Sequence, residues 1–138
     1  GRIHEEFTYD TTATGADTLP AESFRLRKGV CQDFAHVMLA AMRSQRIPAR
    51  YVSGYLRTIP QAGQRRLQGA DASHAWVSVW DPAFGWVDFD PTNDCVPGED
   101  HVVLVAGRDY ADVSPVSGVV VGAGRQVLSV GVDVTATD

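Results

Sequence analysis

The sequence predicts a domain of the α+β class, on three observations. One long segment opening at Cys31 carries helical periodicity, and six shorter segments rich in Val, Tyr and Trp read as strands. The third is that no internal repeat, low-complexity tract or linker divides the chain. Its 138 residues suit a single domain spanning 1–138, which at this size buries roughly two-thirds of the unfolded surface on folding. The first residue is glycine and no charged-then-apolar leader follows it, so the expectation is a fragment of a longer protein.

The first 20 residues mix Thr12, Thr14, Gly15, Asp17, Thr18 and Pro20 without a sustained period. A short helix or extended arm is expected over 3–9, followed by a loop. From Cys31 the apolar positions Phe34, Val37, Met38, Ala41 and Met42 recur at steps of three and four, which predicts a helix running to about Gln45. Pro48 stops it, because proline cannot continue the hydrogen-bond ladder. Residues 49–58 read as a strand whose Gly54 marks a bulge or a close backbone approach. The segment 60–71, with Gly63, Gly69 and two arginines, has the composition of an exposed loop. Strands follow at 74–80 and 86–90, joined by the turn Asp81-Pro82-Ala83-Phe84-Gly85, and further strands are expected at 101–106, 119–121 and 126–134.

Composition narrows the function classes. Hydrophobic residues make up 44% and charged residues 21%, with no run of 18 apolar residues, so no membrane partner is expected. The net charge of -5, and basic clusters as short as Arg25, Arg27, Lys28 and Arg65, Arg66, argue against a nucleic-acid partner. Two cysteines, Cys31 and Cys95, are too few for a disulfide scaffold, and a reduced, cytoplasmic setting fits them better than an oxidising one. Metal-ligand types are scattered at Cys31, His36, His74, Cys95 and His101 without CxxC, HExxH or another local zinc spacing, so no metal or cofactor is expected.

Cys31 is the candidate nucleophile. A helix N-terminus carries about half a positive charge and has N–H groups with no intrahelical partner, so it stabilises a thiolate and offers an oxyanion donor. Taken alone, a helix-head cysteine is more often a buried structural residue. The hairpin adds the missing partners. If its turn is centred on Pro82 and Ala83, residue 77 lies opposite 87 and His74 opposite Asp90, with Cβ atoms about 5 Å apart on one sheet face. Asp90 could then fix the tautomer of His74, leaving its other ring nitrogen for the thiol proton. A slip of one residue would promote Asp88 instead. The same register places Ala75, Val77, Val79, Val87 and Phe89 on one face and His74, Trp76, Ser78, Trp86 and Asp90 on the other, with Trp76 and Trp86 expected in the core. His36 lies about 140° round the helix from Cys31 and should face away from it.

Four blocks together carry a family resemblance: Gly29-Val30-Cys31-Gln32-Asp33-Phe34-Ala35-His36, Ile47-Pro48-Ala49-Arg50-Tyr51-Val52-Ser53-Gly54-Tyr55, Ser73-His74-Ala75-Trp76-Val77, and Gly85-Trp86 through Asp90-Pro91-Thr92-Asn93. In order and spacing they resemble the transglutaminase-like superfamily, particularly bacterial members described as candidate cysteine proteases. Gly107-Arg108-Asp109-Tyr110-Ala111-Asp112-Val113-Ser114-Pro115 is similar to the same subgroup. The resemblance implies a papain-like core in which the cysteine helix packs on an antiparallel sheet. It also implies a triad of Cys31, His74 and Asp90 acting on a peptide, protein or other carboxamide substrate through a thioester. An arylamine acetyltransferase-like activity and a catalytically silent binding module on the same fold are the alternatives. Where many relatives have glycine before Ile-Pro, this chain has Arg46, which a left-handed backbone would strain.

Overall fold

A computed structural model of the chain describes all residues except 61, 71, 115–117, 119–120, 123–130 and 137–138. The chain begins with helix α1 (Arg2–Glu6), which carries an Arg2–Glu6 ion pair one turn apart, and strand β1 (Thr8–Tyr9). Helix α2 (Pro20–Leu26) follows; Pro20 sits in its first turn, where a fixed φ and a missing N–H cost nothing. The sequence reading missed α2. Its one buried residue is Ser23, while Phe24 and Leu26 are exposed, so it has no apolar stripe to find. Strand β2 (Lys28–Gly29) pairs in parallel with β1, setting Tyr9 beside Gly29, two residues ahead of Cys31.

Helix α3 (Cys31–Ser44) is the long predicted helix. Its buried residues are Cys31, Asp33, Phe34, Ala35, Val37 and Leu39, whereas Ala41, expected inside, is exposed. The buried arc is wide because two surfaces cover it. Cys31, Ala35 and Leu39 pack on Tyr51, Ala75 and Val77 of the sheet, and Phe34 and Val37 pack on Phe7. The Asp33 carboxylate holds the start of the helix by accepting from Val30 N at 2.8 Å, Thr14 Oγ1 at 2.7 Å and Ser23 Oγ at 2.7 Å. One buried side chain thus caps α3 and ties the N-terminal loop and α2 to it. At the other end Ile47 N donates to Met42 O and Arg46 N to Arg43 O, a Schellman closure that puts Arg46 in the left-handed region at φ 60°.

Strands β3 (Ala49–Leu56), β4 (His74–Asp81), β5 (Gly85–Phe89) and β6 (His101–Gly107) form one antiparallel sheet in the order β5-β4-β3-β6. A short helix, α4 (Tyr110–Val113), follows β6 and buries Val113 against the Cys31 cluster. Residues 119–120 of the predicted strand at 119–121 and most of that at 126–134 fall outside the described residues; Val121 is described and is not in a strand. Residues 131–134 are described and are not a strand, although Val134 N donates to Thr58 Oγ1 at 2.9 Å.

Two details of the sheet position the site. The β4–β5 turn is a three-residue loop closed by Asp81 opposite Gly85, with the Asp81 carboxylate accepting from Ala83 N and Phe84 N. Val77 therefore faces Phe89 rather than residue 87, and Trp80 faces Trp86. The expected register is off by two residues, an even shift, so the division into two faces is unchanged. The second detail is Gly54. The β3–β6 register shifts between Ser53 and Gly54, and a Cβ at Gly54 would collide with Val102 O and the Trp76 ring. Its missing side chain opens a lane through which the Trp76 indole crosses β3 to meet His101 edge-on, ring centroids 5.3 Å apart. Trp76 is fully buried as expected; Trp86 is not, and lies half-exposed under the Arg50 guanidinium and against Trp80.

Candidate active site

Cys31 is the first residue of α3, His74 the first of β4, and Asp90 follows β5 directly. All three are buried. Because of the register shift, Asp90 stands diagonal to His74 rather than opposite it, and the longer reach is closed by the side chains: His74 Nε2 lies 2.8 Å from Asp90 Oδ2. The chain after Asp90 folds back at once, pairing Asp90 with Cys95 through two backbone hydrogen bonds of 2.9 and 3.3 Å. Asp88, the alternative carboxylate, pairs with Ser78 and accepts from Trp76 Nε1 at 2.8 Å, fixing that indole instead.

Five donors surround the Asp90 carboxylate. Oδ1 accepts from Thr92 N and Asn93 N, and Oδ2 from His74 Nε2, Asn93 Nδ2 and His101 Nε2, the last at 3.1 Å. Burial alone would push its pKa up; hydrogen bonds from His101, His74 and Asn93 outweigh it and hold the group well below the usual carboxylate range. Burial likewise pushes His74 down, yet the Asp90 carboxylate and the neighbouring Cys31 side chain raise it to about 9. Since an ionised Asp90 can only accept, His74 keeps a proton on Nε2, which makes Nδ1 the nitrogen that gains and loses the second one. That Nδ1 is buried, and among the described residues no nitrogen or oxygen meets it in hydrogen-bonding geometry, while the Cys31 thiol lies beside the ring.

Nδ1 is closed over by Gly69. With φ at 92° and an ideal Cβ only 2.6 Å from the ring nitrogen, this position admits no side chain. Asn93 holds the Gly69 loop down: its Oδ1 accepts from Gln68 N at 2.8 Å, its Nδ2 reaches Gln68 O and Asp90 Oδ2, and its carbonyl accepts from Arg65 Nη2. Half-buried Tyr9 packs against the Cys31 cluster from the other side, its hydroxyl pKa pushed up to about 12 by burial and by Cys31. Tyr9, Arg65, Gln68, Gly69, Ala72 and Asn93 line an open cleft of about 640 Å³ along this wall.

The sequence reading of Cys31, His74 and Asp90 as neighbours thus matches their placement, whereas the contributions of His101, Asn93 and Gly69 were missed. Asn93 was visible only as the end of the Asp-Pro-Thr-Asn block, and segment 60–71, read as wholly exposed, buries Ala70. His36 is held elsewhere, accepting on Nε2 from Tyr110 N at 3.2 Å. Both cysteines are free thiols. Ligand atoms of His74, Asp90 and His101 lie within 4.8 Å of one another, a grouping that could hold a metal ion and that a search for local spacing does not find. An ion there would have to displace the hydrogen bonds just described.

The chain matches the family model of the transglutaminase-like superfamily over residues 1–91. A protein of Mycobacterium tuberculosis without an assigned function is 44% identical over 138 residues, covering 96% of this chain and 44% of the relative. A protein-glutamine gamma-glutamyltransferase of Pseudomonas aeruginosa is 39% identical over 97 residues, covering 68% of this chain and 14% of that enzyme. Among solved structures, a candidate cysteine protease from Cytophaga hutchinsonii superposes with a TM-score of 0.67 at 31% identity, over 82% of this chain and 35% of that one. The chain spans less than half the length of these relatives. The antiparallel sheet with a cysteine at the head of its packed helix is the papain-like architecture, and the chain belongs to the transglutaminase-like superfamily.

Proposed function

We propose that the chain is the catalytic domain of a cysteine-dependent acyl-transfer enzyme, a transglutaminase-like peptidase, amidase or acyltransferase acting on a peptide or carboxamide. The observation that carries this reading is the bipolar environment of His74, with Nε2 fixed on Asp90 at 2.8 Å and the Cys31 thiol beside the same ring. In this mechanism Nδ1 takes the thiol proton and the thiolate attacks the carbonyl carbon. The negative charge that develops on oxygen is met by N–H groups of the first turn of α3. His74 then returns the proton to the leaving nitrogen as the C–N bond breaks, giving a thioester and ammonia or an amine. Water or an amine attacks the thioester, His74 accepts its proton, and C–S cleavage restores the thiol. Asp90 stays ionised throughout and stabilises the imidazolium.

A glutamine-containing peptide library incubated with and without a fluorescent amine tests the reading. Amine incorporation identifies transfer; ammonia release or chain cleavage without incorporation identifies hydrolysis. Absence of all three from wild-type protein, or their persistence in Cys31→Ala, would sink the reading.

A further inference from the structure

The Asp90 carboxylate serves two histidines, and only one of them has a use in the mechanism above. His101 Nε2 lies 3.1 Å from the same Oδ2 that binds His74, with the His101 side chain almost fully buried. Its ring meets Trp76 edge-on, and its Nδ1 is buried without a hydrogen-bond partner among the described residues. An ionised Asp90 offers no proton, so each imidazole must carry a hydrogen on Nε2. The two rings then differ in their neighbours: the Cys31 thiol lies beside His74, whereas His101 meets Trp76 edge-on. The groups that face this pair are Cys31 from α3, Tyr9 from β1 and Asn93 from the turn after Asp90, while Asp88 is engaged by Trp76.

We propose that His101 is a positioning residue for the candidate triad: a fixed donor, delivered from β6 across the Gly54 lane, that clamps Oδ2 of Asp90 where His74 can bind it. The inference rests on the triad reading above. His101 acts through the Asp90 carboxylate and touches no substrate. It keeps Asp90 ionised and aimed while His74 changes charge, and it does so from the far edge strand of the sheet.

The test is the rate of alkylation of Cys31 by iodoacetamide as a function of pH, with Cys95 in the same molecule as reference. His101→Leu removes the donor; His101→Gln puts an amide N–H near the position of Nε2; His101→Asn is one methylene too short to reach. His101→Leu and His101→Asn are expected to slow Cys31 alkylation at pH 6 about tenfold, the usual cost of one hydrogen bond to a charged group, and to move the profile to higher pH. His101→Gln is expected to stay within about twofold of wild type. A His101→Leu protein with wild-type rate and profile overturns the inference and leaves the triad reading standing. If the leucine protein is melted at the assay temperature, the Gln and Asn variants decide: equal slowing of both overturns the proposal. Wild-type Cys31 reacting no faster than Cys95 is the separate outcome that removes the triad reading itself.

Discussion

His74 and Asp90 are joined by a 2.8 Å hydrogen bond although they are not cross-strand partners. The β4–β5 register sets Asp90 two residues away from direct opposition to His74, and the imidazole leans along the strand to reach it. A direct pair would hold the two groups through backbone spacing alone. A diagonal pair depends on what else holds the carboxylate, namely the Thr92 and Asn93 N–H groups, the Asn93 amide and His101.

The first expected outcome concerns the thiols. Burial pushes the Cys95 thiol up, so it should be nearly inert at pH 6, whereas Cys31 has a base at hand. Mass-spectrometric counting of carbamidomethyl groups should show Cys31 modified first. Asp90→Asn and His74→Ala should slow Cys31, while Asp88→Asn should leave its rate within about twofold of wild type. A larger effect from Asp88 than from Asp90 would reassign the carboxylate.

Stability should follow the same ion pair. His74 is raised in the fold from 6.5 to about 9, so its contribution is complete below about 6.5 and fades as pH rises through about 9. Asp90 is lowered from 3.8, so its contribution is complete above about 3.8 and fades as pH falls below that. The melting temperature should therefore plateau between about 4 and 6.5 and decline towards 9. Asp90→Asn should flatten the alkaline decline; an identical slope in both proteins contradicts the assignment.

Arg46 offers a stabilising change. It is exposed, sits at φ 60°, and closes α3 through backbone bonds that any residue can make. Arg46→Gly should remove a left-handed backbone cost of about 1 kcal/mol, less the extra entropy of glycine in the unfolded chain. The urea midpoint should rise with an unchanged m-value.

Gly54→Ala should do the reverse. Alanine for glycine commonly stabilises a compatible site, but here the methyl meets backbone at Val102 and the fully buried Trp76 ring. A loss of about 2 kcal/mol or more is expected in urea unfolding, together with a change in Trp76 fluorescence. Unchanged stability and emission would mean the indole does not cross β3 there.

What could be read from the sequence depended on which physical signal each element carries. The cysteine helix and the strands on either side of the Asp81–Gly85 turn have period and turn chemistry, and they form where expected. The even error in register was harmless to the site because side chains alternate with period two: His74 and Asp90 stayed on one face. Helix α2 escaped because it buries a serine in a hydrogen bond to Asp33 instead of an apolar stripe. His101 escaped for a different reason. Its partner is reached through a sheet order in which β6 lies beyond β3, and no local spacing encodes that contact.

The Gly54 lane also bears on how much of this protein makes a portable unit. The family match ends at residue 91, after Cys31, His74 and Asp90 but before β6. A graft cut there would keep the three candidate triad residues, yet it would expose the outer edge of β3 and lose four of the five donors on Asp90, those of Thr92, Asn93 and His101. Transplanting the site into another protein therefore means carrying the chain through Gly107 at least, with α4 as its natural stop.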